Sequence, residues 1–164
     1  MISGMNAFTQ IHVLISLIGI FTGIIVVFGL LTGKRLPAWT ASFLVSTVLT
    51  NVTGFFFPFH GVTPGIIIGI ISMVLLPVAI FALYARNLVG AWARTYVITS
   101  MIALWFNVFI LIVQLFEKVP SLHALAPTQS EPPFKHTQIV VLLLFVVLTI
   151  MAATKSRIER LRIA

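Results

Sequence analysis

Apolar residues occur in five long, unbroken runs that short polar segments separate. The runs cover residues 10–31, 39–59, 64–84, 95–116 and 136–154, and none has a Lys, Arg, Asp or Glu in its interior. Each is close to the roughly 20 residues that a helix needs to cross about 30 Å of hydrocarbon. A membrane barrel would instead alternate apolar and polar positions. The pattern therefore predicts an all-α, polytopic transmembrane helix bundle with five spans, forming a single domain over residues 1–164.

Composition supports a chain whose main solvent is lipid. Hydrophobic residues make up 60% of the chain, charged residues only 8%, and the mean hydropathy is +1.16. A soluble domain carries about a quarter charged residues. There is no cysteine and no aspartate, which excludes disulfides, thiolate metal sites and a Ser-His-Asp triad. The spans also lack the carboxylates of a proton-relay transporter, so the sequence gives no support for an enzyme.

The basic residues predict the orientation. Eight of the ten fall on one side of the predicted bundle: Lys34, Arg35, Arg86, Arg94, Lys155, Arg157, Arg160 and Arg162. The other side carries Lys118 and Lys135. The positive-inside rule makes the first side cytoplasmic, with the N-terminus outside and the C-terminus cytoplasmic. The net charge of +7 is thus a topology signal, and no nucleic-acid partner is expected. We expect the basic C-terminal segment to continue the last helix against anionic headgroups.

Small and amide-bearing residues indicate how the helices pack. The pairs with GxxxG spacing include Gly19 with Gly23, Gly29 with Gly33, and Gly65 with Gly69. Such pairs allow close helix contact, either inside the bundle or between subunits, so a homo-oligomer or a membrane-complex partner is expected beside the lipid bilayer. Three amides, Asn51, Asn107 and Gln114, should find partners in the bundle, because an unpaired amide in lipid is costly. Pro77 should kink the third span.

The four histidines are the main candidates for chemistry, because all of them fall on the predicted outer side. His12, His60 and His136 are the candidate residues for binding a haem or a quinone headgroup. A transition-metal site would use His12, His60, His123, His136 and Glu131. Neutral imidazole is a common ligand of metals and haem. The alternative is that these are ordinary interfacial histidines, since no HExxH motif and no i, i+4 histidine pair occurs.

A proline-rich outer loop, residues 117–135, links the last two spans. It holds four of the eight prolines, Pro120, Pro127, Pro132 and Pro133, which stiffen it by restricting φ. Residues 121–125 can form one helical turn after Pro120. We expect Leu122, Leu125 and Phe134 to pack the loop as a lid over the outer mouth of the bundle. The alternative is a loop that only joins distant helices.

Two segments carry a resemblance to known proteins. They are TGFFFPFHGVTPGIIIGI (residues 53–70) and KVPSLHALAPTQSEPPF (residues 118–134). Both resemble segments of a group of small, uncharacterised bacterial integral membrane proteins, and the likeness extends over nearly the whole chain. The resemblance implies a multi-span protein of the bacterial inner membrane. It implies no activity and no functional residues.

The sequence supports three functional hypotheses. The first is an outer-face histidine site for a transition metal, haem or quinone headgroup, serving electron transfer or metal handling. The second is an oligomeric channel or facilitator for a small solute, favoured by Ser46, Thr50 and Thr53 at helical spacing in the second span. The third is an accessory subunit of a larger membrane complex, which needs no site of its own.

Overall fold

The computed structural model describes residues 7–58, 61 and 63–163, with side chains as far as Ser156, and contains no strand in this part of the chain. The helices are α1 (Ala7–Thr32), α2 (Pro37–Gly54), α3 (Pro64–Ile80), α4 (Trp92–Lys118), α5 (Pro120–Leu125) and α6 (Pro132–Ile163). A π-helical turn, Phe81–Ala85, extends α3. The predicted all-α bundle is thereby confirmed, as is the helical C-terminal segment. Met1, His60 and the side chains of Arg157, Arg160 and Arg162 lie outside the described residues.

Four helices in the described part of the chain are long and apolar enough to cross a membrane. They are α1, α3 together with its π turn, α4, and the Pro132–Ser156 part of α6. The second predicted span differs. Its helix, α2, ends at Gly54 rather than near residue 59 and has only 18 residues, a length of about 27 Å. It is also rich in Ser, Thr and Asn, which lowers its hydropathy, so a fifth span stays a prediction.

The long helices run up and down, so that the bundle has two ends. α1 packs on α2, α3 packs on α4, and α6 packs on both α4 and α1. α4 is the most buried of the spans and α6 the most exposed. We call the end that carries His12, His123 and His136 the histidine end. The opposite end carries Lys34, Arg35, Arg86 and Arg94, and we call it the basic end.

The glycine pair of α1 lies inside the bundle. A Cβ atom built on Gly23 would lie 2.5 Å from Leu104 Cδ1 and 2.9 Å from Phe43 Cδ2. One built on Gly19 would lie 3.3 Å from Ser46 Oγ. Because Phe43 and Leu104 are themselves core residues, exposed by 1% and 2%, the close approach of α1 to α2 and α4 depends on these glycines. The intramolecular alternative for this GxxxG pair is therefore confirmed.

Two of the three predicted amide contacts form. Asn107 Nδ2 donates to Thr47 Oγ1 at 3.3 Å, joining α4 to α2, and Asn51 Nδ2 donates to the Thr47 carbonyl oxygen at 2.8 Å. Thr47 is completely buried. The prediction for Gln114 was wrong, because its side chain is exposed. Gln114 lies one turn from Lys118 at the end of α4, where water and headgroups can solvate an amide.

The outer surface of the bundle is apolar along whole helices. On α6 the exposed residues Val140, Leu143, Val147 and Ile150 follow one another at spacings of three and four. Soluble monomers rarely expose apolar patches larger than a few hundred Å². Such helix-long stripes are what lipid-facing surfaces require, which agrees with the hydropathy of the spans.

Candidate ligand site at the histidine end

His12 joins the first turns of α1 to the last turn of α2. Its Nδ1 atom lies 2.7 Å from Thr53 Oγ1. The Thr53 hydroxyl also lies 2.7 Å from the Leu49 carbonyl oxygen, one turn earlier in the same helix. Both contacts are short enough for hydrogen bonds, and Thr53 has one hydrogen to share between them.

The contacts of Thr53 favour one tautomer of His12. Carbonyl oxygens can only accept, and the Thr53 hydroxyl lies near two of them, at 2.7 Å from that of Leu49 and 3.2 Å from that of Thr50. A Thr53 hydrogen directed to Leu49 leaves Oγ1 to accept from His12 Nδ1–H. In the neutral ring Nε2 then carries the lone pair, and it makes no hydrogen bond to the described residues. Metal-ligating histidines commonly have this arrangement, in which one ring nitrogen donates to the protein and the other binds the metal. A free Nε2 can equally accept a hydrogen bond from a ligand hydroxyl.

Two aromatic rings lie on one side of the imidazole, Phe57 in contact with it and Phe8 packed on Phe57, and we call this pair the aromatic rim. The Phe57 ring meets His12 edge to face, with centroids 5.0 Å apart and an interplanar angle of 80°. Phe8 packs on Phe57, also at 5.0 Å between centroids. His12 is half-buried and lies five residues into α1, about 7.5 Å from the helix start. The site thus combines one unsatisfied acceptor with apolar rings near the end of a span.

The other predicted ligands are not joined to His12 by any contact in the described structure. His123 on α5 and His136 in the first turn of α6 are exposed at the same end of the bundle. Among the described residues, no three His, Cys, Asp or Glu side chains lie close enough together to hold a metal ion. Because His60 is outside those residues, a site that includes it stays a prediction.

Glu131 organises the loop before α6. Its Oε1 accepts hydrogen bonds from the Thr128 hydroxyl at 2.8 Å and the Thr128 backbone N–H at 3.2 Å. Its Oε2 accepts from the Ser130 backbone N–H at 3.0 Å. Desolvation acts to raise the pKa of the Glu131 carboxyl, but these hydrogen bonds outweigh it and hold the pKa below its ordinary value of 4.5. Both oxygens are engaged within the loop.

Replacing Glu131 with glutamine should lower the thermal stability of the protein in a pH-dependent way. A carboxylate whose pKa is lower in the folded state stabilises that state fully above its unfolded pKa. The stabilisation is lost as the pH falls through the folded pKa. The melting temperature of Glu131→Gln should therefore lie below that of the wild type at pH 7, and the difference should narrow as the pH falls below 4.5. Tryptophan fluorescence follows the unfolding of both proteins. A difference in melting temperature that stays constant from pH 7 down to pH 3 would contradict this prediction.

The packing predicted for the proline-rich loop is confirmed for Leu122 and Phe134, whereas a lid over the mouth of the bundle stays a prediction, because the loop helix α5 packs on α4. α5 occupies the predicted turn after Pro120. Leu122 and Phe134 pack against a small second core, and Phe134 meets Phe116 edge to face at 5.4 Å between ring centroids. Gln129 Nε2 donates to the Val113 carbonyl oxygen at 3.0 Å, which ties the loop to α4. Leu125 was predicted wrongly, since it is exposed by 56%.

The sequence indicated a phenylalanine-rich rim that includes Phe57, but not the other two residues near His12, Thr53 and Phe8. Thr53 entered only as part of a polar stripe in the second span, and Phe8 drew no attention. The pairing of His12 with Thr53 spans 41 positions, and no local pattern signals it. The stripe itself packs inside the monomer, since Ser46 faces Gly19 and Thr53 faces His12.

Comparison with known proteins adds no relative. No protein-family model, no curated protein and no solved structure matches this chain. The resemblance to small bacterial membrane proteins is therefore neither strengthened nor weakened. Any function assigned to the chain must rest on its own geometry, and the arrangement around His12 is the most specific.

Proposed function

We propose that this protein is an integral protein of the bacterial inner membrane that binds the ring of a quinol-type lipid at His12, on the outer side of the membrane. The single observation that carries the proposal is the hydrogen bond from His12 Nδ1 to Thr53. It leaves Nε2 free to accept a hydrogen bond from a ligand hydroxyl. A quinol has such a hydroxyl on an aromatic ring.

The surroundings of His12 favour an amphipathic ring over a bare metal ion. The aromatic rim offers edge-to-face contacts to a flat apolar ring, and aromatic pairs of this kind contribute about 0.5–1.5 kcal/mol beyond burial. A quinol tail can remain in lipid while its ring reaches the end of the span. A structural or catalytic metal ion needs three or four protein ligands, whereas the described structure offers it one imidazole. Haem binding through a single histidine is the nearest competitor.

The proposed topology has five spans, with the start of α1 outside and the end of α6 in the cytoplasm. In it α2 crosses as the second span, and its hydroxyl groups bond to its own backbone, as Ser46 does to the Ser42 carbonyl oxygen. The excess of Lys and Arg at the basic end supports a cytoplasmic location for that end. The histidine end then faces outward.

Ligand-induced stabilisation of the purified protein tests the proposal. A short-tailed quinol at one hundred times its Kd should stabilise the protein by about 2.7 kcal/mol, measured as a rise in the melting temperature by tryptophan fluorescence. The oxidised quinone lacks the donor hydroxyl and should stabilise less. His12→Phe keeps an aromatic ring but removes the acceptor, so it should abolish the stabilisation by quinol.

His123→Phe is the control that distinguishes a quinol site at His12 from a site elsewhere at the histidine end. His123 is an exposed histidine of the same end of the bundle, and its replacement should leave the response to quinol unchanged. A Soret band or a stoichiometric metal in the purified protein, lost in either histidine variant, would refute the quinol proposal in favour of a haem or metal site. An unchanged response in His12→Phe would refute any ligand site at His12.

A further inference from the structure

An open apolar groove runs along the second half of α3 toward the basic end. Its volume is about 440 Å³, within the range of about 300–1,000 Å³ of small-molecule pockets. Val48 of α2 forms one wall, and Met73, Pro77, Phe81, Tyr84 and Ala85 of α3 and its π turn form the other. The groove therefore presents hydrocarbon to the lipid phase.

Local backbone structure accounts for the position of the groove. Pro77 has no N–H, so α3 lacks one backbone hydrogen bond there. Four residues later the helix widens to the π turn, which ends where the Arg86 N–H donates to the Phe81 carbonyl oxygen at 3.0 Å. Asn87 and Leu88 then take positive φ angles of 48° and 59°. Arg86 directly follows Ala85, the last residue that lines the groove, and we call this end the mouth of the groove. Single π turns in α-helices are frequent at functional sites.

Aromatic contacts place a cation at that mouth. Phe81, a wall of the groove, meets Trp92 edge to face at 5.3 Å between centroids. The guanidinium carbon of Arg86 lies 5.4 Å from the centroid of the Trp92 ring. Stacking on an aromatic ring orients a guanidinium while leaving its N–H donors available. The side chain of Arg86 is exposed, so those donors face outward from the bundle.

The charge around Arg86 is complementary to an anion. Two of the three acids of the chain, Glu117 and Glu131, lie at the histidine end. The third, Glu159, lies in the C-terminal part of α6, where four basic residues outnumber it: Lys155, Arg157, Arg160 and Arg162. Lys34, Arg35 and Arg94 share the basic end with Arg86. Guanidinium groups bind phosphate through two parallel hydrogen bonds. Basic pockets between membrane helices bind the headgroups of anionic lipids.

From the apolar groove and the cation at its mouth, we propose that the protein holds one anionic phospholipid there. An acyl chain lies in the groove beside Pro77 and the π turn, and the headgroup phosphate binds Arg86. The site is separate from His12 and lies at the other end of the bundle. The proposal of a lipid site therefore does not depend on whether His12 binds a quinol.

Native mass spectrometry of the intact protein with equal amounts of phosphatidylglycerol and phosphatidylcholine tests the headgroup contact. One basic residue near a membrane surface favours an anionic lipid by about fivefold, so the wild type should retain phosphatidylglycerol about fivefold more. Arg86→Gln should remove most of this preference. Arg94→Gln is the matched control: it lies at the same end, two positions beyond Trp92 and so on another face of α4, and should keep the preference.

Filling the groove tests the acyl-chain contact. Ala85→Phe places a ring in the groove without changing charge and should reduce retention of both lipids, whereas Ala124→Phe, on exposed α5, should not. If Ala85→Phe fails to fold, Met73→Trp makes the same test from the other end of the groove. Equal retention of the two lipids by the wild type would overturn the proposal. So would an equal loss of the preference for phosphatidylglycerol in Arg86→Gln and Arg94→Gln. So would a wild-type dimer that Ala85→Phe dissociates, since a second copy would then fill the groove.

Discussion

Gly23→Ala should destabilise the bundle by about 1–2 kcal/mol, because a contact as short as 2.5 Å belongs to the upper part, about 2–3 kcal/mol, of the cost of overfilling a packed core. The added methyl group would lie 2.5 Å from Leu104 Cδ1 and 2.9 Å from Phe43 Cδ2. Neither side chain can yield easily, because both are buried in the core between α1, α2 and α4. α1 must move outward instead, which also loosens its contact through Gly19. The better helix propensity of alanine, worth about 1 kcal/mol, offsets only part of this cost.

Gly65→Ala provides the matched control. It is also the first glycine of a GxxxG pair, but a Cβ built there would lie 3.7 Å from Thr63 Oγ1 and 3.9 Å from Ile110 Cδ1, which are ordinary contacts. Unfolding in mixed micelles of increasing denaturing-detergent content should show Gly65→Ala close to the wild type and Gly23→Ala well below it. Equal stability of the two variants would show that α1 does not pack as described.

The sequence was most informative where lipid restricts the choices. An apolar run of about 20 residues in a membrane must satisfy its own backbone, so it forms a helix, and α1, α3, α4 and α6 appear where the runs predicted them. α2 was harder to delimit. Phe55, Phe56 and Phe57 prolong its apolar run, but the helix ends at Gly54, because in a longer helix the ring of Pro58 would clash with the carbonyl group four residues earlier, that of Gly54.

Contacts between distant segments could not be predicted in the same way. The spacing of Gly19 and Gly23 indicated a crowded face, but only the packing of the helices identifies Phe43 and Leu104 as the neighbours. Likewise, the sequence identifies His12 as a candidate ligand, whereas its pairing with Thr53 depends on the register between α1 and α2. The chemistry of a side chain can be read directly from the sequence, but the register between two helices cannot, because it depends on the packing of the whole bundle.

The sidedness of the bundle decides whether the ligand site faces outward. Eight basic residues at one end oppose translocation of that end, and attraction to anionic lipid adds about 1 kcal/mol for each residue near the surface. The histidine end carries the Glu131 loop, in which Ser130 is exposed. Ser156 lies at the opposite end, near the limit of the span in α6. Since the chain has no cysteine, a single introduced thiol reports its own location.

Thiol labelling of Ser130→Cys and Ser156→Cys in intact cells tests the proposed orientation most directly. A membrane-impermeant reagent should label Ser130→Cys in intact cells, and should label Ser156→Cys only after the inner membrane is permeabilised. The permeabilised sample separates protection by the membrane from burial of the half-buried Ser156. Labelling of Ser156→Cys together with protection of Ser130→Cys in intact cells would invert the bundle and place the His12 site in the cytoplasm, which contradicts an outward-facing ligand site.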